Sequence, residues 1–319
     1  MYNVNRRTIL AAAGATALAT SKLAWAQAPW KPVQPIRIVV PFSAGGGSDV
    51  VARLIAQGFS EALGQPVVVD NKAGASGAIG SDYVYSAASD GYTLLLGTGD
   101  SQAMNPHVNK VRFETLKFTP VGGIAKFPFV LVGRPGLPAT NVSELVQLAR
   151  QTSLTYSSSG PGAAPHIQMN MFAEAAKINN LLHVPYQGAA PAFQALLAGQ
   201  VDLFMAPINL TLQYRDKLRF FGVASLERND ALAEVPTLVE RGFNVDADSF
   251  VCLLAPPGTP DAIATVLGEK LRTVVSSPAI DKKLRELGTN PYRGTRAEFA
   301  TFYQNEYARW GKAIRGLKL

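Results

Sequence analysis

Hydrophobic and polar positions recur on two periods along this chain. Short apolar runs of strand character lie near Ile36, Val67, Thr93, Val130, Thr155, Val201, Phe220 and Val251. Between most of them apolar residues return every three or four positions, which is the helical period. In 50–62, for example, Val51, Leu54, Ile55, Phe59 and Ala62 form one stripe. Strands alternating with amphipathic helices predict an α/β fold. The same period predicts helices over 261–275 and 296–314, with charged outer faces. Gly, Ser and Asn gather between strands at 73–80, 97–101 and 157–162, and in such folds ligand sites lie at the carboxyl ends of strands. Two extended apolar runs followed by Pro and Gly, at 127–136 and 250–258, read as strands crossing between two lobes. They predict a first lobe of 27–132 plus 253–319 and a second of 133–252.

The most informative stretch is 36–53, IRIVVPFSAGGGSDVVAR, an apolar strand that runs into three glycines and then directly into a helix. Gly45, Gly46 and Gly47 let bare backbone approach a ligand, Ser48 or Asp49 is placed to cap the helix, and the unpaired N–H groups of its first turn lie beside the glycines. That is an anion cradle; without a ligand it is a tight strand-to-helix turn. A second one follows at 156–166, YSSSGPGAAPH. Here Ser159 offers a hydroxyl, Gly160 and Gly162 offer N–H groups, and His166 falls in the first helical turn, either donating to a ligand or capping and packing. Two cradles from two lobes form a pincer, and a dicarboxylate with one acidic group at each end satisfies both.

Composition and charge narrow the class. Residues 1–26 read as an export leader, with Arg6 and Arg7 ahead of an apolar run and Ala24-Trp25-Ala26 as the cleavage pattern. The run is too short to span a bilayer, and no Cys follows for lipid attachment. The order of residues 5–10 also resembles a twin-arginine signal. Removing the leader takes Arg6, Arg7 and Lys22 from a formal net charge of +7. The remaining Lys and Arg are interleaved with acids, which argues against nucleic acid as partner and suits an anionic solute. The single cysteine, Cys252, sits in an apolar run and reads as a packed strand residue, so there is no disulfide framework. Enzyme and cofactor signatures fail. Residues 74–78 carry Ala where a nucleophile elbow needs its second glycine, the three histidines lack metal-ligand spacing, and 45–50 does not continue as a dinucleotide fingerprint.

The motifs PFSAGGGSDVVAR, VVDNKAGASGAIG, DGYTLLLGT, HVPYQGAAPAF and GQVDLFMAP occur in an order and spacing that resemble the Bug family, the periplasmic receptors of tripartite tricarboxylate transporters, over essentially the whole chain after the leader. The resemblance implies a type II periplasmic binding fold whose lobes close on a small carboxylate, held by backbone N–H groups and bridging waters. Carried over by residue, the first loop is Phe42, Ser43, Ala44, Gly45 and Gly46. The second is Ser159, Gly160 and Gly162, with His166 just beyond, and residues 98–102, beginning at Thr98, form a third wall. Ala206 and Pro207 stand where many relatives carry an acid, which predicts plain carboxylic acids over amino acids. The implied partners are the transporter's large and small membrane subunits, with no metal, no cofactor and a monomeric receptor. The rival readings are a sensing adaptor that docks on a receptor protein and an α/β enzyme using Ser159 and His166.

Overall fold

The computed structural model describes residues 30–317, so the predicted leader and its cleavage after Ala26 lie outside the described residues. Two α/β lobes follow, each built on one sheet. The first begins with β1 (Ile36–Val40), α1 (Gly47–Leu63), β2 (Val67–Asn71), α2 (Ala78–Tyr85), β3 (Thr93–Thr98) and β4 (Thr119–Phe127). The second holds β5 (Phe129–Gly133), α3 (Val142–Gln151), β6 (Leu154–Ser158), α4 (Ala164–Ala176), β7 (Leu181–Pro185), α5 (Ala189–Leu197), β8 (Leu203–Pro207) and β9 (Arg219–Val223). The chain then returns to the first lobe as β10 (Ser249–Ala255), α6 (Asp261–Val275), α7 (Pro278–Glu286), β11 (Asn290–Pro291) and α8 (Arg296–Arg315).

The sheet orders are β11-β4-β10-β3-β1-β2 and β7-β6-β8-β5-β9. In the first, β1 runs parallel to β2 and β3 while β10 runs antiparallel to β3 and β4. Strand β1 is covered on both faces: Ile36, Ile38, Val39 and Val40 are fully buried, and only Arg37 reaches out, to Asp70 at 3.3 Å. Its successor α1 buries the stripe Val51, Ile55 and Phe59, and ends where Gly64, at φ +67°, returns its N–H to Ser60.

The crossings fall a few residues ahead of the predicted boundaries. Strand β5 lies wholly in the second sheet and β10 wholly in the first, so the sheet changes at Pro128 and again near Asp248. Pro128 has no N–H to give either ladder, which is why the extended run divides there and not after Val132. Strand β4 was not among the predicted strands; it carries Pro120, Gly122 and Gly123, which are disfavoured inside strands. They are instead where its register slips against β10. A Cβ on Gly123 would lie 2.6 Å from the Tyr292 ring, so the glycine lets that ring lie flat on the strand.

The core reaches the cleft through one strut. Helix α8, started by a reciprocal Thr295–Glu298 cap, buries Tyr303 and Trp310 completely. The Tyr303 hydroxyl donates to Gln102 Oε1 at 3.1 Å, with the Thr115 carbonyl at 3.2 Å. Gln102 Nε2 in turn donates to Ser81 Oγ at 2.8 Å. These bonds clamp Gly99–Met104, a wide helical turn capped by Thr98, against the core. Replacing Tyr303 by Phe removes the donor from buried acceptors. Its expected cost is about 1–3 kcal/mol, read as a lower urea midpoint at unchanged slope.

Candidate functional site

Small residues at the lobe surfaces set how near the two backbones come. Strand β1 ends at a loop whose chain enters α1 with Gly46 as the cap residue and no side-chain cap. Across from it, Asn209 donates to the Gly47 carbonyl at 3.1 Å, and a Cβ on Gly47 would sit 2.6 Å from Asn209 Oδ1. On the second-lobe loop, Gly160 (φ +124°) and Gly162 (φ +77°) need the left-handed region that glycine alone adopts freely. A Cβ on them would meet Ser76 Oγ at 2.8 Å and Asn109 Nδ2 at 2.5 Å. Between these glycines the Pro161 carbonyl accepts Ser76 Oγ at 2.6 Å and Asn109 Nδ2 at 3.0 Å, both from the first lobe. Ser76 is itself a non-glycine residue at φ +52°, held there by Asn105, whose side-chain amide donates to the Ala75 and Ser76 carbonyls.

Behind these contacts lies a cavity of about 30 Å³, the room of one to a few waters. Gly46, Gly47 and Ser48 bring the α1 N-terminus to its wall, Ser159 and Pro165 come from the second loop, and Phe127 and Phe129 close it at the crossing. Phe42, Gly46, Thr98 and Ser159 also line this cavity.

The other predicted residues are not among those lining this cavity. Ala44 and Gly45 are exposed, and the Gly45 N–H donates to Asp49 at 2.9 Å. Asp49 is the buried staple of this loop: burial works to raise its pKa, but bonds from Arg53, Gly45 and Asn71 lower it overall. Ser43 faces Gly188 across the cleft, its hydroxyl buried without a protein partner. Gly160 and Gly162 pack on the opposite lobe, as above. His166 stacks on His183, ring centroids 4.2 Å apart, with Tyr156 beyond. Its Nδ1 accepts the Gly162 N–H at 3.2 Å, which is the capping role, and in that tautomer the N–H sits on Nε2. Burial lowers the pKa of His166, and burial followed by the neighbouring His166 brings His183 down to about 4. Burial thus disfavours the charged form of both rings, and the stacked pair braces the loop.

The residues that sequence reasoning passed over are Ser48, Asn209 and above all Asp100. The absence of an acid at Ala206 and Pro207 predicted plain carboxylic acids over amino acids. Pro207 does line the cavity, but so does Asp100, only 7 % exposed, from the Gly99–Met104 turn. Its carboxyl lies against the N–H of Ala164, the first residue of α4 in the other lobe. Burial pushes its pKa up to about 7, against the lowering effect of that N–H. Among the described residues lining the cavity none is cationic. Two further polar atoms at or beside the cavity, Asn209 Oδ1 and Ser249 Oγ, are buried with no protein partner.

The geometry has relatives. A family model described as "Tripartite tricarboxylate transporter family receptor" matches residues 51–319. A protein from the tcbD-tcbE intergenic region of Pseudomonas sp. (strain P51) is 35% identical, over 98% of this chain and 95% of its own. Among solved structures, the periplasmic binding protein BugD superposes with a TM-score of 0.85 at 32% identity, covering 89% of this chain and 98% of BugD. The R. palustris protein Rpa4515 with adipate has a TM-score of 0.85 at 33% identity, covering 90% and 98%.

Asp100 makes stability depend on pH. With a folded pKa of about 7 against an ordinary 3.8, the native state holds the proton more tightly than the unfolded chain. Stability therefore falls as pH rises between these values and levels off above them. Asp248, raised to about 6 by burial, acts in the same sense, and His183 acts oppositely between about 4 and 6.5. Subtracting an Asp100→Asn profile isolates the group. The variant is expected to gain stability relative to wild type from pH 4 to 7.5, by an amount on the order of 2–4 kcal/mol. A constant difference across that range contradicts the assignment.

Proposed function

Because the chain belongs to the tripartite tricarboxylate transporter receptor family, we propose that it captures a small organic carboxylate between its lobes. In its closed form it presents that solute to the membrane subunits of such a transporter. The observation that carries this reading is the uncapped N-terminus of α1 opening into an interlobe cavity at Gly46, Gly47 and Ser48, with the Ser159 hydroxyl across from it. First-turn N–H groups and the helix dipole favour an anion there. The adipate held by the relative Rpa4515 supports a carboxylate as that anion. Capture needs no reaction: the ligand favours the closed arrangement by its higher affinity for it, and the bonds at Pro161 and Gly47 form as the lobes meet. The leader at 1–26, cleaved after Ala26, is the route to the periplasm on this reading.

Thermal unfolding of the chain from Gln27, first stripped of carried-over solute by denaturation and refolding, tests the reading against mono-, di- and tricarboxylates, amino acids and phosphate. A ligand at about 100 times its Kd adds roughly 2.7 kcal/mol, a midpoint rise of several degrees. Gly47→Ala puts a methyl into Asn209 of the opposite lobe while suiting the helix it begins. The expected result is an unliganded midpoint close to wild type with most of the ligand shift gone. A full shift in Gly47→Ala, or no shift with any carboxylate in wild type, contradicts capture between the lobes.

A further inference from the structure

Two helix N-termini point toward the interlobe cavity, and they are not equivalent. That of α1 carries no side-chain cap and lines the wall with Gly46, Gly47 and Ser48. That of α4 already has an acid near it, because Asp100 of the first lobe lines the same cavity as Pro165 in the first turn of α4. A ligand carboxylate arriving there would meet another carboxyl in a cavity with no cationic side chain on its wall. Once Asp100 is ionised, two like charges at short range in a desolvated site repel strongly. Asp100 is also under-supplied with donors. An ionised carboxyl accepts about four hydrogen bonds, whereas the groups acting on this one are the backbone N–H groups of Ala164 and of Asp100 itself. Its site is only 7 % exposed, so solvent does little to make up the rest.

We infer that Asp100 sets the ligand's chemical class. The cleft takes a carboxylate at the α1 end and a protonated amine at the Asp100 end, and so selects amino-carboxylates over dicarboxylates of the same length. This rests on the carboxylate-capture reading above and deepens it. A zwitterion also fits the charge of the wall: its anionic end meets first-turn N–H groups and the Ser48 hydroxyl, while its cationic end neutralises the acid. The turn that carries Asp100 is fixed from behind by Gln102, Ser81 and Tyr303, which keeps the acid's backbone at the cavity wall.

Calorimetric titration with chain-matched pairs tests this: succinate against 4-aminobutyrate, and adipate against 6-aminohexanoate, for wild type and Asp100→Asn at pH 8. The expected result is that the amino member of whichever pair fits the cleft binds more tightly by about tenfold or more, and that Asp100→Asn removes the preference. Equal or tighter binding of the dicarboxylate by wild type overturns the inference and leaves carboxylate capture standing. So does an amine preference that survives Asp100→Asn. If the variant fails to fold by circular dichroism, the wild-type ratio decides alone. A folded wild-type protein that binds no member of the panel, nor any carboxylate in the thermal screen, contradicts the capture reading itself.

Discussion

The cleft depends on how near two backbones come when no side chain stands between them. At Gly47, Gly160 and Gly162 a single Cβ would fall 2.5–2.8 Å from a polar atom of the other lobe. The missing atoms let Asn209, Ser76 and Asn109 reach carbonyls across the gap. Each such bond is modest by itself, about 1 kcal/mol net, so closure is a balance that a bound solute can shift by its own contacts. The same constraint explains the strain at Ser76, which leaves ordinary backbone geometry to deliver its hydroxyl to Pro161.

The second organising feature is a charge kept where water is scarce. Asp100 sits on a turn that a chain of buried hydrogen bonds from α8, Tyr303 to Gln102 to Ser81, holds against the core of the first lobe. The two acids near the cleft behave oppositely. Asp49 is given Arg53, Asn71 and a backbone N–H and stays ionised as a loop staple. Asp100 has backbone N–H groups alone and is pushed up to about 7. Burial acts to raise both carboxyls, and only Asp49 has the side-chain partners that overcome it.

Much of this was legible from the chain because the signals are local. The strand, three glycines and helix at 36–53 are contiguous, and helices α6 and α8 follow from apolar spacing with charged outer faces. The two-lobed α/β fold follows from the alternation of elements together with two interrupted apolar runs. What escaped was set by distant partners. Strand β4 is stabilised by β10, more than a hundred residues later, despite Pro120 and its paired glycines. His166 shows its stacking on His183 and its bond from Gly162 only once the fold brings them together. Asp100 lies in a segment already marked as a wall, yet nothing near it in sequence announces Ala164 as its neighbour.

The central claim is that a small carboxylate is held between the lobes and draws them together. Solution X-ray scattering on the refolded chain, with and without a saturating concentration of the solute that most raises its unfolding midpoint, tests this most directly. The account predicts that the radius of gyration falls on binding and that Gly47→Ala, at the same occupancy, keeps the larger value. A radius unchanged by a bound solute in the wild-type protein would contradict it.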